Sequence, residues 1–311
     1  MQNNTMRDES YKKQLANFIF EKYGLTIKSI TPTKRGFYGE TWQLNTINQR
    51  YYAKLLYYKE YQDVYKSSFN VIEYLNNQGI DYIPTIIKTK DNTLYCEYDN
   101  AVLGIFNWID GENIETDETK QFEYELLANI YTLPTNHLTI RKEDFSTKSA
   151  TTFFEQWELS KDQAILDILN KYQDKLYYRA KRLEFFSNLC KQDMSNFYIT
   201  HGDAGGNFYV SKDKNYLVDW DDVLLAPIER DAWVMGFCDW ARDLFENILA
   251  KHNIHYTLKF ERLAYYAYYM FFFWLTWLVK CAPASEIEDY FKGYNTKRIE
   301  YADILWQKAQ K

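Results

Sequence analysis

The chain has 311 residues, 46% of them hydrophobic and 26% charged, and a formal net charge of −6 at pH 7. Those values suit a globular protein with a sizeable core, built as one bilobal unit or two small domains. The acidic balance argues against nucleic-acid binding, because phosphate backbones attract surfaces rich in Lys and Arg, and it suits a cationic small-molecule partner.

Residues Met1 to Lys22 are polar, with charges of both signs, and do not read as a signal peptide. Leu15 to Tyr23 is expected to form a short helix stopped by Gly24. Strands are expected at Ser29 to Thr31, Thr41 to Leu44 and Tyr51 to Tyr57, with turn signals at Gly36, Gly39 and Asn48 between them. Val64 to Gln78 carries helical apolar spacing through Phe69, Ile72 and Leu75, and Gly79 supplies a stop. Two further strands are expected near Thr85 to Thr89 and Thr93 to Tyr98, before an apolar run from Val102 to Ile109 that ends at Asp110-Gly111.

Beyond that point the spacing turns helical, over Lys120 to Tyr131, Thr151 to Leu169, Tyr172 to Leu189 and Tyr256 to Val279. A strand–turn–strand stretch, Phe197 to Trp220, interrupts the helices. The pattern is α+β, with a small β-rich lobe over residues 1–108, a larger and mainly helical lobe over 109–311, and a hinge near Asn107 to Gly111. The uncharged run Leu263 to Val279 is at the short limit for crossing a bilayer, and its four tyrosines suit a buried aromatic helix better than hydrocarbon. Tyrosine, 29 residues of the 19% aromatic content, fits either an aromatic-lined cleft or the commoner use of Tyr in place of Phe and Leu. Cys96, Cys190, Cys238 and Cys281 contain no CxxC pair, so a reducing cytoplasm is the expected setting, with no zinc site or disulfide framework.

Tyr198 to Trp233 carries the chemistry. An apolar strand leads into His201-Gly202-Asp203, Asn207 follows, and a third strand, Tyr216 to Val218, delivers Asp219. Hairpin geometry can gather Asp203, Asn207 and Asp219 at one end of the sheet. Phosphoryl transfer uses that set: one carboxylate orients or deprotonates an attacking hydroxyl, while an Asn carbonyl and a second carboxylate hold Mg2+ against nucleotide phosphates. An isolated HGD is a common polar turn. The ordered Asn207 and Asp219 separate this segment from that reading.

The segment resembles the aminoglycoside phosphotransferase and choline kinase group, whose pattern is HGD, three residues, N, then an apolar strand and an aspartate. The run Asp219-Trp220-Asp221-Asp222 through Ala226-Pro227 to Glu229-Arg230-Asp231 is nearest the spectinomycin-phosphotransferase-like branch. The resemblance implies a protein-kinase-like two-lobe fold, Asp203 as catalytic base, Asn207 and Asp219 as Mg2+ ligands, and ATP or GTP as co-substrate. It implies supporting roles for His201 and Asp231, and structural ones for Glu229 and Arg230. Asp221 and Asp222 either attract a cationic substrate or cap a following helix.

Lys54, on the strand Tyr52-Ala53-Lys54-Leu55, would reach the α- and β-phosphates. Arg35-Gly36-Phe37-Tyr38-Gly39 lies where a phosphate-covering loop belongs, although an ordinary hairpin turn fits the same residues. Backbone groups from Asn107 to Ile109 would meet a purine, with Phe106 or Trp108 packed on it. One departure stands out, because Ser68 occupies the place where the resemblance predicts a helical Glu paired with Lys54. Asp63 or Glu60 would substitute from an earlier turn of the helix, and Glu73 in a shifted register. The expected activity is phosphate transfer to a hydroxyl of an aminoglycoside or aminocyclitol antibiotic. A metabolic kinase for choline, homoserine or a sugar is the alternative within the enzyme class, and a pseudokinase-like nucleotide-binding protein is the alternative outside it. Trp240, Trp274 and Asp239 are candidates for the acceptor cleft.

Overall fold

The computed structural model describes residues 7–33, 39–136, 138–233, 238–293 and 295–309. The first helix, α1 (Glu9–Tyr23), begins where the Asp8 carboxylate accepts the Tyr11 N–H at 2.8 Å, and it ends on Gly24 at φ 75°. It starts six residues before the expected Leu15, because its first two turns are mostly exposed and carry no apolar spacing to detect. Strands β1 (Ser29–Pro32), β2 (Gly39–Asn45) and β3 (Arg50–Leu56) lead to helix α2 (Lys59–Asn77), then to β4 (Cys96–Tyr98) and β5 (Ala101–Asn107). The five strands form an antiparallel sheet in the order β1-β2-β3-β5-β4. The strand expected over Thr85 to Thr89 is reduced to a single bridge, Ile86 to Phe106. Strand β4 already occupies residues 101–103 on that edge of β5, which leaves only 105–107 to pair.

Strand alternation gives this sheet two different faces. Ala53, Leu55, Leu103 and Ile105 join Leu15, Ile19 and Tyr23 of α1 in one apolar cluster. Tyr52, Lys54, Gly104 and Phe106 point the other way, toward α2.

Next come β6 (Glu112–Asn113) and α3 (Asp117–Tyr131), the latter started by a capping box between Thr116 and Thr119. Helices α4 (Lys148–Leu159), α5 (Gln163–Lys171) and α6 (Gln173–Cys190) follow. The single helix expected over 151–169 is divided, because the Asp162 carboxylate accepts the Ala164 and Ile165 N–H groups and starts α5 afresh. Strands β7 (Tyr198–Thr200), β8 (Phe208–Val210), β9 (Asn215–Leu217) and β10 (Leu224–Ala226) are three residues each, and β6, β8 and β9 form a second antiparallel sheet. The chain closes with α7 (Glu229–Ala232), α8 (Asp239–Lys251), α9 (Phe260–Cys281), α10 (Ala284–Lys292) and α11 (Asn295–Ala309). The architecture is α+β, with its main sheet in the N-terminal region and helices dominating the C-terminal region.

Contacts divide the chain into two units. One comprises Met1–Arg141 with His201–Leu224, and the other Lys142–Thr200 with Leu225–Lys311. In the second, α9 is the central element and packs against α4, α6, α7, α10 and α11. Its buried tyrosines keep their hydroxyls satisfied. Tyr265 donates to Ser146 O at 2.8 Å, Tyr266 to Glu143 Oε2 at 2.9 Å and Tyr268 to Asp303 Oδ1 at 2.5 Å. Among the described residues no helix is long and apolar enough to cross a membrane.

Candidate active site

Because Ala53 and Leu55 are committed to the α1 cluster, Lys54 is turned to the face that α2 covers. Its strand partner is Gly104. A Cβ at residue 104 would stand 2.9 Å from Tyr65 Oη and closer still to the Phe69 ring, so only glycine lets those α2 rings lie against β5. Phe69 stacks on Phe106 at 5.5 Å. The Lys54 side chain is 9% exposed, and its ammonium donates to Asp219 Oδ1 at 2.8 Å and pairs with Asp221 Oδ2. It also lies 5.8 Å from the centroid of the Tyr65 ring. Burial works against the ammonium, but the two carboxylates more than offset it and hold the lysine pKa well above its ordinary value.

The carboxylates come from the loops around β8 and β9. His201 is buried, and its Nδ1 accepts the Asp203 N–H at 3.2 Å. Its proton therefore sits on Nε2, which donates to Val218 O at 2.8 Å. The imidazole thus ties the Asp203 loop to the strand that delivers Asp219, with the Trp220 ring edge-on at 4.6 Å. Asn207 ends a short 3-10 turn, and its Nδ2 donates to Asp203 O at 2.8 Å and to Asp203 Oδ2 at 3.2 Å. Val218 N–H returns to Asn207 O at 3.0 Å, which closes the hairpin and brings Asp203, Asn207 and Asp219 to one end of it. Asp219 has φ 63°, a left-handed conformation that is uncommon outside glycine and frequent at functional sites.

Burial pushes the Asp203 carboxyl up to about 6, with Asp219 and Glu115 adding repulsion. For Asp219, burial also opposes ionisation, but Lys54 outweighs it and the group is held below the ordinary range. Asp221 is pushed up to about 7 by burial, with Asp219 reinforcing the shift and Lys54 opposing it. Two carboxylates share one cation, and the second is left poorly compensated.

Asn207 has its amide nitrogen engaged on Asp203, which leaves its carbonyl oxygen as the ligand atom, and only one oxygen of Asp219 is taken by Lys54. Two hard oxygen donors with solvent access suit Mg2+, which keeps several waters and shares the rest of its shell with phosphate. Among the described residues no group of three or more His, Cys, Asp and Glu side chains could hold a metal ion by itself.

The remaining expected residues are distributed as follows. Gly39 opens β2 so close to β3 that a Cβ would run into the Leu55 carbonyl. Gly36, with Arg35, Phe37 and Tyr38, lies outside the described residues. At the expected hinge, Asn107 N–H donates to Thr85 O at 2.9 Å and Trp108 N–H to Arg50 O at 3.3 Å. Of the three amides, that of Ile109 has no backbone partner among the described residues. Ser68 is fully buried and donates to Tyr65 O at 2.7 Å. Glu73 pairs with Lys88, and Glu60 and Asp63 are exposed. The acids on Lys54 come instead from the hairpin.

Asp221 as a partner of Lys54 escaped the sequence reading. Its carboxylate is brought to Lys54 by the turn after Asp219, which the Asp-x-Asp spacing alone does not reveal. Asp222 accepts from Arg141 at 3.1 Å, and no helix starts directly after either residue, so neither is a helix cap. Glu229, Arg230 and Asp231 are buried in α7 of the second unit, where Arg230 donates to Thr200 O and Oγ1, both at 3.1 Å. Asp239 pairs with Arg242 at 2.6 Å at the start of α8, where Trp240 is 44% exposed, and Trp274 packs beside Phe273 and Trp277 in α9.

The chain matches the phosphotransferase enzyme family (APH) over residues 29–268. Among solved structures it is similar to a spectinomycin phosphotransferase in complex with ADP and spectinomycin, at 20% identity and TM-score 0.75, covering 95% of this chain and 98% of that one. It is also similar to a choline kinase from Streptococcus pneumoniae, at 15% identity and TM-score 0.63, covering 95% and 98%. An aminoglycoside phosphotransferase from Alicyclobacillus acidocaldarius is similar at 14% identity and TM-score 0.57, covering 100% and 98%. No curated protein matches the chain in sequence.

Proposed function

The chain belongs to the phosphotransferase enzyme family, and we propose that it transfers the γ-phosphate of ATP or GTP to a hydroxyl of an aminoglycoside or aminocyclitol antibiotic in the cytoplasm, and so inactivates the drug. The observation that carries this reading is the hairpin end where Asp203, Asn207 and Asp219 meet the ammonium of Lys54. The acidic net charge of −6 supports a cationic acceptor and no nucleic-acid partner. Nucleotide is assigned to residues 1–108, and chemistry and acceptor binding to residues 109–311. This functional boundary at the end of β5 differs from the contact boundary after Arg141.

In this scheme Asp203 takes the proton of the attacking hydroxyl. Its carboxylate is oriented by the Asn207 amide, and its loop is held by His201. The carbonyl oxygen of Asn207 and the carboxylate of Asp219 hold Mg2+, which when bound neutralises charge on the phosphates. Lys54 leaves Asp219 for the α- and β-phosphates. Gly39, with Gly36, shapes the phosphate-covering turn. The Ile109 amide and the Asn107 backbone meet the nucleobase. Asp231, buried in α7, is a supporting residue within its own unit.

The test is phosphate transfer from Mg-ATP and Mg-GTP to a panel of aminoglycosides, spectinomycin, choline, homoserine and sugars. Transfer to an aminocyclitol, abolished by Asp203→Ala, is the expected result. Transfer to choline or a sugar alone would move the protein to metabolism, and nucleotide binding without turnover on any acceptor would overturn the enzymatic reading.

A further inference from the structure

We infer that Tyr65 is the positioning residue for Lys54, with its ring beneath the ammonium and its hydroxyl as the acceptor that Lys54 uses once nucleotide draws it from Asp219. The inference rests on the phosphotransfer reading and deepens the account of the same site.

Three observations carry it. Tyr65 is 1% exposed, and its hydroxyl has no hydrogen-bond partner among the described residues. A buried hydroxyl left unsatisfied is costly, so one that persists points to a partner met in another state. Its ring centroid is 5.8 Å from Lys54 Nζ, within cation–π range. The hydroxyl also lies against residue 104, directly across the ladder from Lys54, in space that exists only because residue 104 is glycine.

The competing partners do not meet the need. Ser68, one turn along α2, spends its hydroxyl on the Tyr65 carbonyl, and Glu73 is paired with Lys88. Asp219 gives Lys54 one oxygen, and its carboxylate is to be shared with the metal. Asp221 pairs with the lysine through one carboxylate oxygen from the hairpin, not from α2. When phosphates take over from Asp219, the phenol oxygen is a buried acceptor on α2 that keeps Lys54 from swinging. Raised well above its ordinary value by burial, the phenol stays protonated, so it accepts through a lone pair and adds no charge.

Calorimetric binding of Mg-ATP and of adenosine to the full chain tests this, in wild type, Tyr65→Phe and Tyr65→Leu, beside thermal unfolding. Adenosine lacks the phosphates through which Lys54 acts. The expected result for Tyr65→Phe is Mg-ATP affinity weaker by roughly 10-fold, unchanged adenosine affinity, and a Tm equal to or above wild type because an unpaired hydroxyl is gone. Tyr65→Leu, which removes the ring as well, should lose roughly another 3-fold toward Mg-ATP. Unchanged Mg-ATP affinity in Tyr65→Phe would overturn the inference, and so would an equal loss for adenosine, which would mark a merely structural role. A wild-type chain that fails to bind Mg-ATP would overturn the phosphotransfer reading first, and this inference with it.

Discussion

Two clusters of charge, one in each unit of the molecule, are built on opposite terms. In the second unit, Glu229 accepts Tyr256 Oη at 2.7 Å and Lys259 N–H at 2.6 Å, with Arg262 Nη1 at 3.8 Å. Arg262, 1% exposed, donates through Nη2 to the Asp193 and Ser195 carbonyls, with the Asp193 carboxylate 3.5 Å away. Opposite charges alternate and the donors find acceptors. In the first unit, Asp219 and Asp221 crowd a single lysine, Asp219 is held in a left-handed conformation, and Tyr65 keeps an unused hydroxyl. A satisfied network fastens structure, whereas an unsatisfied one is poised to receive something.

The largest effect should fall on chemistry. Asp203→Ala should lower kcat by roughly 10²–10⁴, the usual contribution of a positioned base, with little change in unfolding midpoint. Asp219→Ala should abolish Mg2+-dependent nucleotide use while acceptor binding survives, and an unaltered Mg2+ titration in that variant would remove Asp219 from the metal. The second cluster should behave in reverse. Glu229→Ala removes one of the two carboxylates near the buried Arg262 and the acceptor of Tyr256 Oη and Lys259 N–H, and should cost about 3 kcal/mol of stability by denaturant unfolding.

The contrast sharpens at Asp221. A carboxyl pushed up to about 7 binds a proton in the folded chain that the unfolded chain, near 3.9, has already lost. Stability from that group therefore falls as pH rises between those values, and at pH 7 the residue weakens the fold. Asp221→Asn should raise stability by about 1 kcal/mol at pH 7 and leave it unchanged near pH 3. The smallest expected effect is at Asp193, where Lys259 and the Ser195 hydroxyl and N–H hold the carboxyl well below its ordinary value. That contribution is complete at pH 7 and fades as pH drops below about 4, so the Tm gap between wild type and Asp193→Asn should be small and should close in acid.

What could be read in advance followed the strength of local signals. Helix α2, strands β2 and β3, and the order Asp203, Asn207, Asp219 rest on periodicity and motif spacing, and the structure has strands and helices at those places. The three-residue strands are too short to alternate, and the break at Asp162 is made by a single capping carboxylate rather than by any loss of apolar spacing. Helices α8, α10 and α11 were not among the expected elements. Within the site, the partner of Lys54 was sought along α2, the near choice in sequence. It lies 165 residues away, where only the folded hairpin can present it.

The first unit is discontinuous: Met1–Arg141 is completed by His201–Leu224, and the intervening stretch belongs elsewhere. During synthesis the five-stranded sheet therefore leaves the ribosome well before the hairpin bearing Asp203, Asn207 and Asp219. At about 5–20 residues per second, the lag from Asn107, the last residue of that sheet, to Leu224 is roughly 6–23 s. For that interval Lys54 has neither of its carboxylates and the nascent unit waits half-built. A fragment stopping near residue 141 is thus an incomplete folding unit, because β8, β9 and both acids that meet Lys54 lie beyond it.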